Sequence, residues 1–109
     1  MDWEIIFFES LRGEMFVEEF IKSLTRATIS KVTHEISLLE LHGWLLRMPY
    51  SKKLTQDLYE LRIRGKEEVR IIYGFKRNKI YMLHGFKKKT QQTPIKEIET
   101  AQQRFDTLY

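Results

Sequence analysis

Apolar residues recur along this chain with two different periods, and the change between them separates a helical first half from a strand-rich second half. Trp3 to Glu9 is a short apolar run rich in β-formers, which predicts a strand that sits at a sheet edge or pairs first. From Glu14 to Ala27, Phe16, Val17, Phe20, Ile21 and Leu24 fall on one face of a helix. Ile29, Val32, Ile36 and Leu39 repeat that period from Ser30 to His42, and Gly43 supplies a left-handed stop. Two helices in so short a span predict a helical hairpin. Met48 to Gln56 predicts a loop, because Pro49 blocks regular structure and Tyr50, Ser51, Lys52 and Lys53 make it polar and basic. The period then becomes two. Leu58 to Arg64, Val69 to Lys76 and Lys79 to Lys87 alternate apolar and polar residues across short turns containing Gly65 or Asn78, which predicts a three-stranded antiparallel meander. Thr93 and Pro94 then open a last helix, whose apolar stripe is Ile95, Ile98, Ala101, Phe105 and Leu108.

A length of 109 residues suits one domain, so residues 1–109 are read as a single unit in which core and functional site share a scaffold. With 42% hydrophobic and 31% charged residues, the composition is that of a folded chain. The lack of cysteine excludes disulfides, thiolate zinc sites and cysteine nucleophiles, and it suits a reducing compartment. The start Met1-Asp2-Trp3-Glu4 has no basic leader and the apolar runs are far below membrane-spanning length, so a cytoplasmic protein without membrane contact is expected. Charge is uneven: residues 1–50 carry five Lys/Arg against eight Asp/Glu, whereas residues 51–109 carry 14 against seven. An anionic partner is therefore expected on the second half.

Strand register decides where those cations point, because a one-residue slip would flip every side chain to the other face. A turn at Gly65, Lys66 and Glu67 pairs Ile63 with Val69, Arg62 with Arg70 and Leu61 with Ile71. A two-residue turn at Arg77 and Asn78 pairs Phe75 with Ile80 and Tyr73 with Met82, and its continuation pairs Ile71 with His84 and Val69 with Phe86. The opposite face then collects Arg62, Arg64, Arg70, Tyr81, Gly85 and Lys87, with Gly85 beside Arg70. Directly opposed arginines repel, and an anion between them would relieve the repulsion. Their planar forks suit phosphate oxygens, Gly85 leaves room for close approach, and the Tyr81 ring offers a surface on which a base could stack. Salt bridging to Glu60 and Glu68 would instead make this an ordinary surface, but the Lys87-Lys88-Lys89 run leaves cations in excess.

The segments Leu58-Tyr59-Glu60-Leu61-Arg62-Ile63, Val69-Arg70-Ile71-Ile72-Tyr73 and Leu83-His84-Gly85-Phe86-Lys87-Lys88, followed by Thr93-Pro94 and a helix, resemble the RelE/HigB-like toxins, especially their phage-associated branch. The resemblance spans roughly residues 54–105. It implies an α+β, RelE-like fold: an antiparallel-dominated sheet with an N-terminal helical hairpin on one face and a C-terminal helix. It also implies the toxin of a type II toxin–antitoxin system, a metal-independent and ribosome-dependent mRNA endoribonuclease. Its partners would be mRNA, the ribosome and a helix-turn-helix antitoxin protein. By position, Arg62 and Arg70 match the family's basic strand residues, and Lys87 or Lys88 its basic residue after the last strand. These four are the expected catalytic residues, with Lys52, Lys53, Arg64, Tyr81 and Lys89 expected to bind RNA.

The proton-transfer group is left open. Some members of that family place a histidine or tyrosine near the C-terminal end, where this chain has only Tyr109, so the remaining acid/base candidates are Tyr81 and the pair His84 and Tyr73. His84 and Tyr73 fall on the predicted apolar face, which favours a core role. His34 and His42 are read as non-catalytic, and three scattered histidines supply no metal site, so neither metal nor cofactor is expected. A gyrase-directed ParE-like toxin without nuclease activity, or a non-catalytic nucleic-acid-binding module, are the alternatives.

Overall fold

The computed structural model describes residues 2–109. Among these residues, five strands form one sheet in the order β1-β5-β4-β3-β2, with β1 (Glu4–Phe7), β2 (Ser51–Lys53), β3 (Tyr59–Ile63), β4 (Val69–Lys76) and β5 (Lys79–Lys87). β1 runs parallel to β5 at one edge; the other pairings are antiparallel. Helices α1 (Phe16–Lys22) and α2 (Arg26–His42) cover one face, packing Val17, Leu24, Val32 and Leu39 on Leu61, Ile63, Ile71 and Met82. Helix α3 (Ile95–Asp106) covers part of the other face, where Ala101, Ile98 and Phe105 meet Leu58, Ile72, Leu83 and Phe86. The result is an α+β sandwich of a mostly antiparallel sheet between two helical layers. No helix among the described residues is long and apolar enough to cross a membrane.

Several elements differ from the sequence reading. The first helix is seven residues rather than a run to Ala27, because Thr25 caps α2: its hydroxyl accepts from the Thr28 N–H at 3.3 Å, so α2 begins at Arg26, ahead of the expected Ser30. Gly43 ends α2 at φ 55°, and a Cβ there would collide with the Trp3 indole. Within the expected loop, Ser51 to Lys53 form the edge strand β2 against β3. The Arg77-Asn78 turn has both residues at positive φ, as a two-residue hairpin requires.

The register of β3 on β4 is the expected one, including Arg62 opposite Arg70. The β4–β5 register holds from Lys76 to Tyr73 and then shifts: Tyr73 pairs with Met82, but Ile72 pairs with His84, leaving Leu83 as an extra residue in β5. This bulge inverts the end of the strand. Phe86, not Gly85, lies beside Arg70; His84 and Phe86 turn toward the α3 face; Gly85 and Lys87 turn toward α1 and α2.

Candidate functional site

Period two along β3 puts Glu60 and Arg62 on the same face as Arg70 of β4 and Lys52 of β2. α3 leaves this end of the sheet uncovered. Here Arg62, Arg64, Glu68, Arg70, Lys88, Lys89, Thr90 and Gln91 line an open cavity of about 460 Å3. Its floor holds a buried ion cluster. The Glu60 carboxylate, 2% exposed, lies 3.8 Å from Arg70 Nε and 4.0 Å from Arg62 Nε, and it accepts a 2.5 Å hydrogen bond from the Thr93 hydroxyl. Arg70 is itself 2% exposed, and its Nη1 donates to the Val69 carbonyl at 3.0 Å. The Arg62 Nη1 reaches Met48 Sδ at 3.0 Å.

Among the described residues, neither Arg62 Nε nor Arg70 Nε finds a hydrogen-bond partner. Buried donors left unmade are costly, about 1–3 kcal/mol each, unless a partner arrives. An anion placed in the cavity would be such a partner. Burial pulls the pKa of Arg70 below its usual value, with Glu60 opposing, although a guanidinium remains charged at any physiological pH. Lys88 is also pulled down, first by burial and then by the Arg70 charge. Its ammonium proton is thus held more loosely than that of an ordinary lysine.

The segment after β5 forms the cavity rim. It is pinned where the Lys88 N–H donates to the Glu68 carbonyl at 2.7 Å, and again where Thr93 bonds Glu60. A second cavity, about 220 Å3, adjoins the first through Lys88 and Gln91 and is lined by Lys52, Lys53, Glu60 and Thr93 among others. Of the residues expected from sequence, Arg62, Arg64, Arg70, Lys88 and Lys89 therefore meet in one cavity, with Lys52 and Lys53 beside it.

Four expected placements are corrected. Lys87 does not share the face of Arg62 and Arg70: the Leu83 bulge sends it to the other face, where Nζ lies 2.9 Å from Glu67 Oε2. Glu67 in turn accepts from the Thr25 and Thr28 hydroxyls at 2.8 and 2.6 Å, so Lys87 belongs to the tie between the β3–β4 turn and α2. His84 lies against α3 rather than on the apolar face under the helical hairpin. Arg104 donates to its Nδ1 at 3.3 Å, so the proton sits on Nε2, 2.8 Å from Glu97. Tyr81 packs into the core beneath α3 and does not line the cavity, so its ring offers no stacking surface there. Gly85, expected beside Arg70, faces Phe20 of α1.

Tyr73 keeps its predicted face, but it is buried beneath α2 with its hydroxyl bonded to Ser51, and burial pushes its pKa up to about 12. It too stands apart from the cavity. Glu60, expected only to neutralise the arginines, and Thr90, Gln91 and Thr93, not expected at the site, join the predicted residues there. Strand alternation alone would have placed Glu60 beside Arg62; the rim residues carry no periodic signal. Among the described residues, no three His, Asp or Glu side chains converge to hold a metal ion.

A search of the curated proteins finds no match. The family model of phage-derived Gp49-like proteins (DUF891) matches residues 19–106, which include both cavities and every strand but β1. The chain accordingly belongs to the Gp49-like family of phage-derived proteins, a family of RelE-type toxins.

Proposed function

We propose that this chain is the toxin of a type II toxin–antitoxin pair with a RelE-like fold, and that it acts as a metal-independent endoribonuclease on mRNA in the ribosome. The observation that carries the reading is the cavity itself: two adjacent guanidinium groups with unbonded Nε atoms, ringed by Arg64, Lys88 and Lys89. In this reading the cavity takes the scissile phosphate against Arg62 and Arg70. The ribose 2′-hydroxyl attacks phosphorus, the bond to the 5′-oxygen breaks, and a 2′,3′-cyclic phosphate and a 5′-hydroxyl remain. Charge builds on the phosphoryl oxygens during this step, and preorganised cations stabilise it.

Proton transfer is assigned to residues of the same cavity. Glu68, the carboxylate among the lining residues, takes the 2′-hydroxyl proton, and Lys88 delivers one to the leaving 5′-oxygen. The lowered pKa of Lys88 supports that role. Lys52, Lys53 and Lys89 hold neighbouring phosphates, and their contribution should weaken with salt. His84 and Tyr73 have no part in the chemistry. The partners are mRNA, the ribosome and a helix-turn-helix antitoxin in the cytoplasm.

The test is cleavage of a defined mRNA on programmed ribosomes and free in solution, with mapping of the new ends. Cyclic phosphate ends that vanish in Arg62→Ala support the reading. Growth arrest with intact mRNA would overturn it and point to a gyrase-directed toxin; no arrest and no cleavage would leave a binding module.

A further inference from the structure

We propose that Glu60 is a positioning residue: its buried carboxylate holds the Arg62 and Arg70 guanidinium groups side by side and, through Thr93, fixes the rim that carries Lys88. The inference deepens the anion-binding reading of the cavity and rests on it. Arg62 and Arg70 are direct cross-strand neighbours and repel one another. Glu60 offsets that repulsion from a place where it touches both, yet at 3.8 and 4.0 Å it takes no hydrogen bond from either Nε. The arginines are thereby held together with their Nε donors unspent, which is the state an incoming phosphate requires.

The same carboxylate governs the rim. The 88–93 segment is tied to the sheet at its start by the Lys88 N–H and at its end by the Thr93 hydroxyl on Glu60 Oε1. Floor and rim therefore share one anchor. Glu60 is buried and is not among the residues lining the larger cavity, so it acts through the arginines and Thr93 rather than on the phosphate.

Two effects of opposite sign follow for Glu60→Gln, which keeps the shape and an oxygen for Thr93 but deletes the charge. Removing a negative charge beside the cavity tightens anion binding by about tenfold, from the Coulomb interaction in a partly wetted site. Releasing the guanidinium planes lowers the cleavage rate by about 10–100-fold, the cost of a misplaced catalytic group. A residue serving stability alone would not tighten binding while slowing chemistry.

The experiment titrates inorganic phosphate and measures single-turnover mRNA cleavage and melting for wild type, Glu60→Gln, Thr93→Val and Thr93→Ser. The expected result is tighter phosphate binding with slower cleavage for Glu60→Gln, a several-fold slower Thr93→Val, and recovery in Thr93→Ser. Unchanged cleavage in Glu60→Gln, or phosphate binding that stays the same or weakens, overturns the proposal. If Glu60→Gln fails to fold, the two Thr93 variants decide: equal rates for valine and serine overturn it. A wild type that binds phosphate but leaves RNA intact refutes the nuclease reading alone, and the phosphate comparison still judges Glu60. A wild type that binds no phosphate overturns both.

Discussion

Replacing Arg70 by alanine should cost the protein both its activity and a measurable part of its stability, unlike the same change at Arg62. Arg70 is buried, and its loss leaves the equally buried Glu60 with Arg62 at 4.0 Å and the Thr93 hydroxyl as its remaining partners. Stranding a buried charge outright costs ~3–5 kcal/mol, and the surviving partners reduce that here to about 2–3 kcal/mol. For a domain of about this size each kcal/mol lowers Tm by about 4–8 °C, so Arg70→Ala should melt roughly 8–24 °C below wild type. Arg62 is 14% exposed and leaves Glu60 paired with Arg70, so Arg62→Ala should cost no more than about 1 kcal/mol, a typical single-site loss. Arg70→Lys keeps the charge but loses the fork, and it should fall between the two in stability. All three variants should slow cleavage by about 10²–10³, the loss typical of one transition-state donor. Thermal melts by circular dichroism, alongside single-turnover cleavage, provide the comparison. An Arg70→Ala protein that melts within a degree or two of wild type, or no lower than Arg62→Ala, would refute the buried ion cluster on which this reasoning depends.

Lys88→Ala should reduce cleavage by about 10²–10³ with little change in Tm, whereas Lys87→Ala should leave cleavage intact and lower Tm slightly through the lost Glu67 contact; the reverse pattern would show that the β5 bulge does not set the site. The Thr28, Lys87 and Thr25 contacts lower the Glu67 pKa from 4.5 to about 2, so its contribution to stability is present above about pH 4.5 and is lost as pH falls toward 2. Urea unfolding across that window should show a steeper loss for wild type than for Glu67→Gln, and identical slopes would count against the network. Tyr73→Phe should cleave at the wild-type rate, and the Tyr73 phenol should stay neutral until pH approaches 12, as followed by phenolate absorbance; a tenfold slower variant would return it to the candidate site. EDTA should leave cleavage unaffected as long as the programmed ribosomes stay assembled, and activity lost on chelation, restored by a divalent ion and not explained by ribosome dissociation would overturn the cation-based mechanism.

Local pattern sufficed for much of this protein. The change of period at residue 58 marked the meander, Gly43 the end of α2, and the Arg77-Asn78 turn the second hairpin. These features depend on neighbours in sequence: helix and strand periods, a positive φ, a two-residue turn. The opposition of Arg62 and Arg70 followed as well, because the apolar positions of β3 and β4 leave one register that keeps charge off the core face. The bulge at Leu83 could not be read in that way. His84 and Phe86 carry enough apolar surface to suit either face, so the pattern tolerates a slip, and packing of Phe86 with Ala101, Leu83 and Ile72 beneath α3 selects the shifted register. That single extra residue moved Lys87 out of the site and left Lys88 at the cavity. β2 was equally hidden, since three residues with two exposed lysines show no periodicity and become a strand through their pairing with β3. The closing of α3 over half of the basic face, which buries Ile72 and Leu83 and leaves Glu60, Arg62 and Arg70 at its open end, depends on contacts between residues some 20–40 positions apart in sequence. Sequence thus determined which cations share a sheet; the tertiary packing of β5 and α3 decided which of them share a site.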